Sequence, residues 1–361
     1  MADHLLSEIY ICLGRWQDAV NAATRVIDDP QYELMTERFG TRMDRPGDVF
    51  WDLFRTGNVN REDGNKETIW ALQYEFGVPG GQNGNIPTWN AGYPGERAWG
   101  PRYWTLLDPT GAAGTLACDS LGRGASYVRP TYYASTAVWK GDEKDMRNSE
   151  YNIKRNWYYN NPLTPNKLGQ KCPIDDKSWS QAQLFPALKK FFFGKEENLQ
   201  LTGAYKDRMK FRLAETYLLL AEAYLRQDMP DKAADAVNEV RRRAGIREIE
   251  PDEITGYETF LRERTAEFAF EGLRFYDLKR FRIADKLFDG QADTETALIY
   301  GLWPYKVYAP GDPDDGKWIF RRIHNTKRKF PLWFQTKNYY ASIDQSVLNN
   351  NPLLVKNPYQ E

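Results

Sequence analysis

The residues between Gly77 and Trp104 combine the side-chain types that bind sugars. Aromatic side chains recur there between glycines, with amide and guanidinium groups among them. A pyranose ring offers an apolar patch of C–H bonds that stacks on an aromatic face, while its hydroxyls hydrogen-bond to planar amides and charged groups. The candidate ligand-binding residues are Trp89, Tyr93, Trp99, Tyr103, Trp104, Asn83, Asn85 and Arg102.

The same rings have a second interpretation, in which they pack the loop back onto the rest of the protein. Glycines let the backbone turn sharply enough to present several rings to a ligand, but Tyr and Trp also contribute to protein interiors. A further aromatic group at Trp303, Tyr305, Tyr308 and Trp318 either lines the same groove or tethers another loop.

Carboxylates give the main alternative, because a glycoside hydrolase needs two opposed carboxylates beside such a groove. The chain has fifty Asp and Glu residues, but their spacing singles out no such pair. Glu263, Glu267 and Glu271 recur at four-residue intervals, which predicts one helix face in an ion-pair network and lowers their expected pKa. A general acid needs the opposite shift, so we expect no catalytic residues. The expected basic partners are Arg262, Arg264, Arg274, Lys279 and Arg280.

Charge and composition argue against several other classes of protein. Forty-nine basic and fifty acidic residues leave a net charge of -1, so no global field attracts nucleic acid or an anionic membrane. The three cysteines form no CxxC pair and there are two histidines, so neither a disulfide framework nor a metal or cofactor site is predicted. No apolar stretch is long enough to predict a transmembrane helix.

Two helical hairpins are predicted to support the loops. Apolar residues recur three and four apart from Leu5 to Ile27, with a break at Gly14, and the pattern returns from Leu219 to Val240 at an offset of 214 residues. Alanines after each turn, including Ala19 and Ala233, let the second helix lie close to the first, as in tetratricopeptide repeats. Such a unit cannot bury its apolar face alone, so we expect the two hairpins to stack.

The predicted fold class is therefore mostly α: a tetratricopeptide-like helical hairpin scaffold with long aromatic and glycine-rich loop insertions and a few short strands. A scaffold that only bound a partner protein in a concave helical face would have more hairpins in succession. We predict one domain over residues 1–361. Its parts are a first hairpin, a loop-rich ligand-binding insertion, a helical core with the second hairpin, and a loop-rich C-terminal segment, at 1–36, 77–180, 205–290 and 291–361.

Three sequence blocks, in the same order, resemble the SusD/RagB family. The first is RLAETYLLLAEA at Arg212–Ala223, continued by AVNEVRRRAG at Ala236–Gly245. The second is ERTAEFAFEGLRFYDLKR at Glu263–Arg280, and the third runs from Phe330 to Tyr359. The resemblance covers the chain from about Leu5 to its last residue.

This resemblance implies a non-enzymatic lipoprotein on the outer face of the outer membrane, paired with a SusC-like TonB-dependent transporter. By resemblance it captures oligosaccharide or polysaccharide nutrients, or peptides in the manner of RagB, and passes them inward. The family's lipoprotein signal with its lipidated cysteine, and the helices before the first hairpin, are not found in this sequence. We therefore expect a chain that is truncated at its N-terminus relative to the family and whose lipid anchor is missing.

Overall fold

The computed structural model describes residues 1–78, 93–130, 132–175, 178, 181–195 and 204–283, with the backbone of 305–306 and 318–319. The chain divides into two compact units, one of Met1–Pro130 with Val138–Glu267 and one of Thr131–Ala137 with Phe268–Glu361. Helices predominate and the strands are short, which confirms the predicted fold class. The single domain over 1–361 stays a prediction.

The described α-helices are α1 (Ala2–Cys12), α2 (Trp16–Ile27), α3 (Val49–Leu53), α4 (Gly95–Trp99), α5 (Tyr132–Ser135), α6 (Leu213–Leu225), α7 (Pro230–Arg243), α8 (Tyr257–Phe268) and α9 (Arg274–Arg280). Short 3-10 helices include Tyr103–Thr105, Met146–Asn148 and Lys189–Phe191. The described strands form antiparallel pairs: β1 (Thr68–Leu72) with β4 (Arg208–Arg212), β2 (Ile153–Lys154) with β3 (Ala187–Leu188), and β5 (Tyr305–Lys306) with β6 (Trp318–Ile319). None of the helices in this part of the chain is both long and apolar enough to cross a bilayer.

The two predicted hairpins form and stack on each other. Gly14 takes a φ of 72° between α1 and α2, a left-handed conformation that glycine adopts without strain. Helix α2 packs along α6, and one core cluster joins Ile11, Ala19 and Val20 of the first hairpin to Leu219 and Ala223 of the second. The predicted scaffold is therefore confirmed, and each hairpin buries the apolar face of the other.

A polar contact also joins the hairpins. His4 of α1 is fully buried, and its Nδ1 lies 2.9 Å from Thr216 Oγ1 in α6. Its Nε2 lies 3.5 Å from a carboxylate oxygen of Glu215. Because a buried imidazole is costly without polar partners, these contacts favour one register between α1 and α6.

A second set of buried polar contacts centres on Glu267 of α8. Its carboxylate accepts a hydrogen bond from Arg147 at 2.9 Å and further ones from Arg212 and Arg243. Arg212 ends β4, Arg243 ends α7 and Arg147 lies in the 3-10 helix Met146–Asn148. Three separate elements therefore converge on one carboxylate that is fully buried.

Glu263, one helical turn before Glu267, extends this arrangement. It accepts hydrogen bonds from Arg147 at 2.6 Å and from Arg241 at 2.8 Å. Glu67, just before β1, lies 3.5 Å from Arg243. We call this group the buried ion cluster; its members are Glu67, Arg147, Arg212, Arg241, Arg243, Glu263 and Glu267.

The two buried glutamates at its centre titrate differently. Burial opposes ionisation of Glu267, yet Arg243, Arg212 and Arg147 together hold its pKa well below the usual range. Burial raises the pKa of Glu67, and Arg243 and Arg212 offset only part of that rise. Glu267 is therefore the ionised centre that the arginines require.

The predicted ion-pair network is confirmed, but Arg262, one of its expected cations, pairs with a different carboxylate. Helix α8 ends at Phe268, and Glu271 lies beyond it, where Gly272 takes a φ of 93°. Arg262 pairs with Asp142 at 2.9 Å, and Arg280 pairs with Asp277 at 2.8 Å. Because the face of α8 that bears Glu263 and Glu267 is buried, the arginines that we describe as paired with these glutamates come from other elements of the structure.

Replacing Glu267 with Gln should lower the free energy of unfolding by about 3–5 kcal/mol at neutral pH, since three arginines lose their buried counter-charge. The pKa of Glu267 is lower in the folded than in the unfolded protein. Its stabilisation is therefore complete above the usual Glu pKa and is lost as the pH falls through the folded-state value. The difference between urea melts of wild type and variant should begin to shrink below about pH 4 and continue to shrink as the pH falls further. Glu258→Gln, at an exposed site of the same helix, is the control, and a difference that stayed constant with pH would contradict this assignment.

Replacing Ala19 or Ala233 with Leu should overpack the hairpins, because both side chains are buried at the helix contacts. We expect a loss of about 1–3 kcal/mol in the free energy of unfolding, measured by denaturant melts. Ala2→Leu at the exposed start of α1 serves as the control. Unchanged midpoints for both test variants would count against the stacked hairpins.

Candidate functional site

Two of the predicted ligand-binding rings converge on a ring from another part of the chain. Trp99 stacks on Phe191 with centroids 5.9 Å apart and planes at 24°, and Tyr93 contacts the same ring at 6.0 Å and 63°. Tyr74 lies 6.2 Å from Tyr93. Phe191 is 6% exposed, whereas the other three side chains are partly exposed. We call Tyr74, Tyr93, Trp99 and Phe191 the aromatic cluster. Its buried ring, Phe191, supports the partly exposed rings of Tyr93 and Trp99, and Tyr74 lies against Tyr93.

Backbone pairing positions these rings. The Tyr93 N–H donates to Ala204 O at 2.7 Å, and the Ala204 N–H donates back to Tyr93 O at 2.9 Å. Tyr74, two residues beyond β1, donates its N–H to the Asp207 carboxylate at 2.7 Å. Tyr74 and Tyr93 therefore both hydrogen-bond to the segment 204–207, which leads into β4.

Glu96 fixes helix α4, which ends at Trp99. Its buried carboxylate accepts the Arg123 N–H at 3.1 Å and the Phe193 N–H at 2.8 Å. Beyond the helix, Gly100 and Gly124 approach so closely that a Cβ on Gly124 would overlap the Gly100 carbonyl group. Glycine at both positions therefore permits the contact that holds Trp99 in place.

The position of Phe191 is fixed by contacts of its neighbour in the chain, Lys190. The Lys190 ammonium is buried and donates to the backbone oxygen of Glu267 at 2.6 Å. Lys206 in turn donates to Lys190 O at 2.8 Å and to Phe192 O at 2.9 Å, and burial lowers its pKa to about 7. The turn that carries Phe191 is thus joined directly to the buried ion cluster.

Tyr103 and Trp104, also predicted to bind ligand, pack inward to different degrees. Tyr103 is 1% exposed and stacks on Trp157 at 5.2 Å. Its hydroxyl donates to Gly122 O at 2.8 Å, and burial raises its pKa. Trp104 is partly exposed and donates its Nε1–H to Gly124 O at 2.9 Å. Tyr103 therefore packs the loop onto the rest of the protein, which was the second interpretation of these rings.

The other predicted residues are distributed as follows. The Arg102 side chain is exposed, and its backbone N–H donates to Ala182 O at 2.9 Å. Asn83, Asn85 and Trp89 lie outside the described residues, and their part in binding stays a prediction. The same holds for the side chains of Trp303, Tyr305, Tyr308 and Trp318.

Other rings on this side of the structure were not predicted. Phe76 is exposed and lies 5.6 Å from Tyr205, which meets Phe193 edge-to-face at 4.6 Å. Lys195 donates to the Tyr205 hydroxyl at 3.3 Å. In the sequence, these rings were marked by the run Phe191–Phe193 and by the strand-like pattern that ends at Tyr74. Neither pattern predicts which distant residues the rings contact.

The two glutamates of the predicted ion-pair network that pair with arginines lie away from the rings. Glu263 and Glu267 lie inside the buried ion cluster, where a substrate cannot reach them. In the described part of the chain, no group of three or more His, Cys, Asp or Glu side chains could hold a metal ion. The described side chains of the aromatic cluster offer ring stacking and hydrogen bonding.

Comparison with known proteins assigns the chain to a family. The sequence model of the SusD family matches residues 66–359. The chain belongs to the SusD family. The match includes the blocks at Arg212–Gly245 and Glu263–Arg280, so the resemblance found in the sequence is confirmed.

Solved structures with the same fold agree with membership of the SusD family. Surface glycan-binding protein A from Bacteroides thetaiotaomicron has a TM-score of 0.58 and 19% identity, over 99% of this chain and 63% of that one. A structure of that name in complex with laminarihexaose gives 0.56 and 19%, over 98% and 62%. The protein of that name from Bacteroides uniformis gives 0.52 and 20%, over 100% and 61%.

At this level of sequence identity, the likeness to these three structures shows a shared fold alone. The chain spans less than two thirds of the length of each of these three structures. A comparison with curated protein sequences found no match.

Replacing Gly124 with Ala should destabilise the protein by about 1–3 kcal/mol, because the added methyl group overlaps the Gly100 carbonyl. Denaturant melts measure the loss. Gly256→Ala is the control, since a Cβ there meets only the mobile end of the Glu258 side chain. Equal midpoints for the two variants would mean that the Gly100–Gly124 contact does not hold α4.

Proposed function

We propose that this chain captures oligosaccharides at the aromatic cluster and releases them chemically unchanged. The observation that carries the proposal is the contact of Tyr93 and Trp99 with Phe191, together with that of Tyr74 with Tyr93. Partly exposed rings held in fixed orientations provide stacking area at a low cost in conformational entropy. Sugars, with their apolar ring faces, suit such a surface.

Polar groups beside the rings suit the hydroxyls of a sugar. The Arg208 guanidinium lies 5.0 Å from the centre of the Tyr93 ring. Arg102 is exposed at the end of the same loop region. Guanidinium groups donate several hydrogen bonds in fixed directions, so they select among hydroxyl orientations while the rings supply contact area. Asn83, Asn85 and Trp89 belong to the proposed site on the sequence pattern alone.

Family membership supports the wider role that we propose. The similar structures are named as surface glycan-binding proteins, and one of them is in complex with laminarihexaose. We propose that the full-length protein works on the outer face of the outer membrane through a lipid anchor. There it would pass captured glycans to a SusC-like TonB-dependent transporter.

Replacing Trp99 with Ala should weaken polysaccharide binding at least tenfold, because the cluster loses its largest ring. Trp89→Ala tests the sequence-based part of the site and should act in the same direction. Affinity electrophoresis in gels that contain single polysaccharides provides the measurement, with thermal melts to confirm that stability is nearly unchanged. Tyr158→Ala, which removes an exposed ring outside the cluster, is the control. If both Trp variants migrate like wild type in every gel that retards the wild type, the proposed site is wrong.

A further inference from the structure

A second aromatic surface, around Trp51, carries positive charge. Trp51 of α3 stacks on Tyr151 with centroids 5.6 Å apart and planes at 15°, and both side chains are partly exposed. The Arg55 guanidinium lies 3.7 Å from the centre of the Trp51 ring, and the Lys189 ammonium lies 4.6 Å from it. Two cations therefore share one indole ring.

The β2–β3 pair adds a third cation. Lys154 is paired with Ala187, and the Lys189 N–H donates to Asn152 O at 2.9 Å, which extends the ladder by one pair. Residues two apart on a strand share a face, so Lys154 and Lys189 are diagonal neighbours, typically ~7–8 Å apart. We call Trp51, Arg55, Tyr151, Lys154 and Lys189 the basic site.

The lysines of this basic site face rings: the Lys154 ammonium lies 5.0 Å from the centre of the Trp157 ring, and that of Lys189 lies 4.6 Å from Trp51. Among the described residues, neither lysine ammonium has a hydrogen-bond acceptor. Arg55 is only 6% exposed and is paired with Asp52. Because an ammonium carries three donors, the two lysines have the capacity to bind an acceptor from outside.

The nearby carboxylates are already engaged. Asp48 accepts hydrogen bonds from the Trp51 N–H at 2.8 Å, from Ser149 Oγ at 2.5 Å and from Asn152 Nδ2 at 3.0 Å. Glu150 accepts from Asn156 Nδ2 at 2.6 Å. Asp52 is paired with Arg55 at 3.1 Å and also with Arg38. Arg38 and the three cations of the basic site thus face three carboxylates, and one positive charge remains.

Burial lowers the pKa of both lysines of the basic site. For Lys189 burial acts together with Lys154 and Arg55 against Asp48 and Glu150, and its pKa falls to about 8. An anion bound between the two ammonium groups would relieve their repulsion and favour their charged forms.

We propose that the basic site binds the carboxylate or sulfate group of an acidic sugar, whose ring packs against the exposed parts of Trp51 and Tyr151. The inference rests on the proposed function, because it takes the ligand to be a glycan. It narrows the ligand class to glycans that carry uronate or sulfate groups. The rings distinguish this site from a surface that attracts any anion, because they supply an apolar contact beside the charge.

Matched polysaccharides test the proposal by affinity electrophoresis. The carboxylate pair is polygalacturonate and its methyl ester, and the sulfate pair is dextran sulfate and dextran, so the two pairs distinguish the two anions. The double variant Lys154→Gln/Lys189→Gln should bind polygalacturonate or dextran sulfate at least tenfold more weakly than wild type does. Neutral glycans should retard this variant as much as they retard wild type. Lys144→Gln/Lys171→Gln removes the same charge at exposed positions and should bind like wild type. Lys154→Arg/Lys189→Arg should retain binding.

The outcomes separate this inference from the proposed function. Equal affinity of the two Gln double variants for the charged glycans overturns the inference, as does a wild type that prefers the neutral members. In the latter case the proposed function stands. Poly-glutamate that binds as tightly as polygalacturonate would mean recognition of charge without sugar, again against the proposal.

Free galacturonate provides a test that needs no polysaccharide. It should quench Trp fluorescence in wild type but not in Lys154→Gln/Lys189→Gln, and galactose should have no effect. If no polysaccharide binds but this quench is seen, the proposed function fails and the anion site stands. If neither occurs, both are wrong.

Discussion

The carboxylate of Glu267 is the contact on which the rest of the structure depends. Arg147, Arg212 and Arg243 reach it from a 3-10 helix, a strand end and a helix end. Arginine cannot shed its charge in a protein, so burying three guanidinium groups requires a shared anion at their centre. The geometry of that anion fixes where β4, α7 and α8 lie. The second hairpin begins where β4 ends, and the first hairpin packs on the second.

The same residue connects the frame to both candidate binding surfaces. Lys190 donates to the Glu267 backbone oxygen, and its two neighbours in the chain, Lys189 and Phe191, belong to the basic site and the aromatic cluster. One short 3-10 helix thus carries a cation on one side and a supporting ring on the other. The buried ion cluster is a structural element, and we propose that ligand recognition takes place at the surfaces that it orients.

The sequence predicted the parts of this arrangement that depend on local periodicity. Apolar spacing and the 214-residue offset identified both hairpins, because each helix must bury one face. The ring-and-glycine pattern indicated Tyr93 and Trp99, whose part in binding stays a prediction. It did not separate them from Tyr103, whose burial depends on Trp157, a ring that is far away in the sequence. The arginine partners of Glu267 and the role of Phe191 were missed for the same reason, since the sequence does not specify which distant segments meet. Lys154 and Lys189 belong to no motif, and only the paired strands bring them together.

Recovery of a bound glycan after prolonged incubation tests most directly the claim that this protein captures sugars without transforming them. The purified chain would be equilibrated with a polysaccharide that it retains, and the polysaccharide then separated and assayed for chain length and reducing ends. The account predicts saturable binding with unchanged length and no new reducing ends. New reducing ends that increase in proportion to the amount of protein and to time would contradict it.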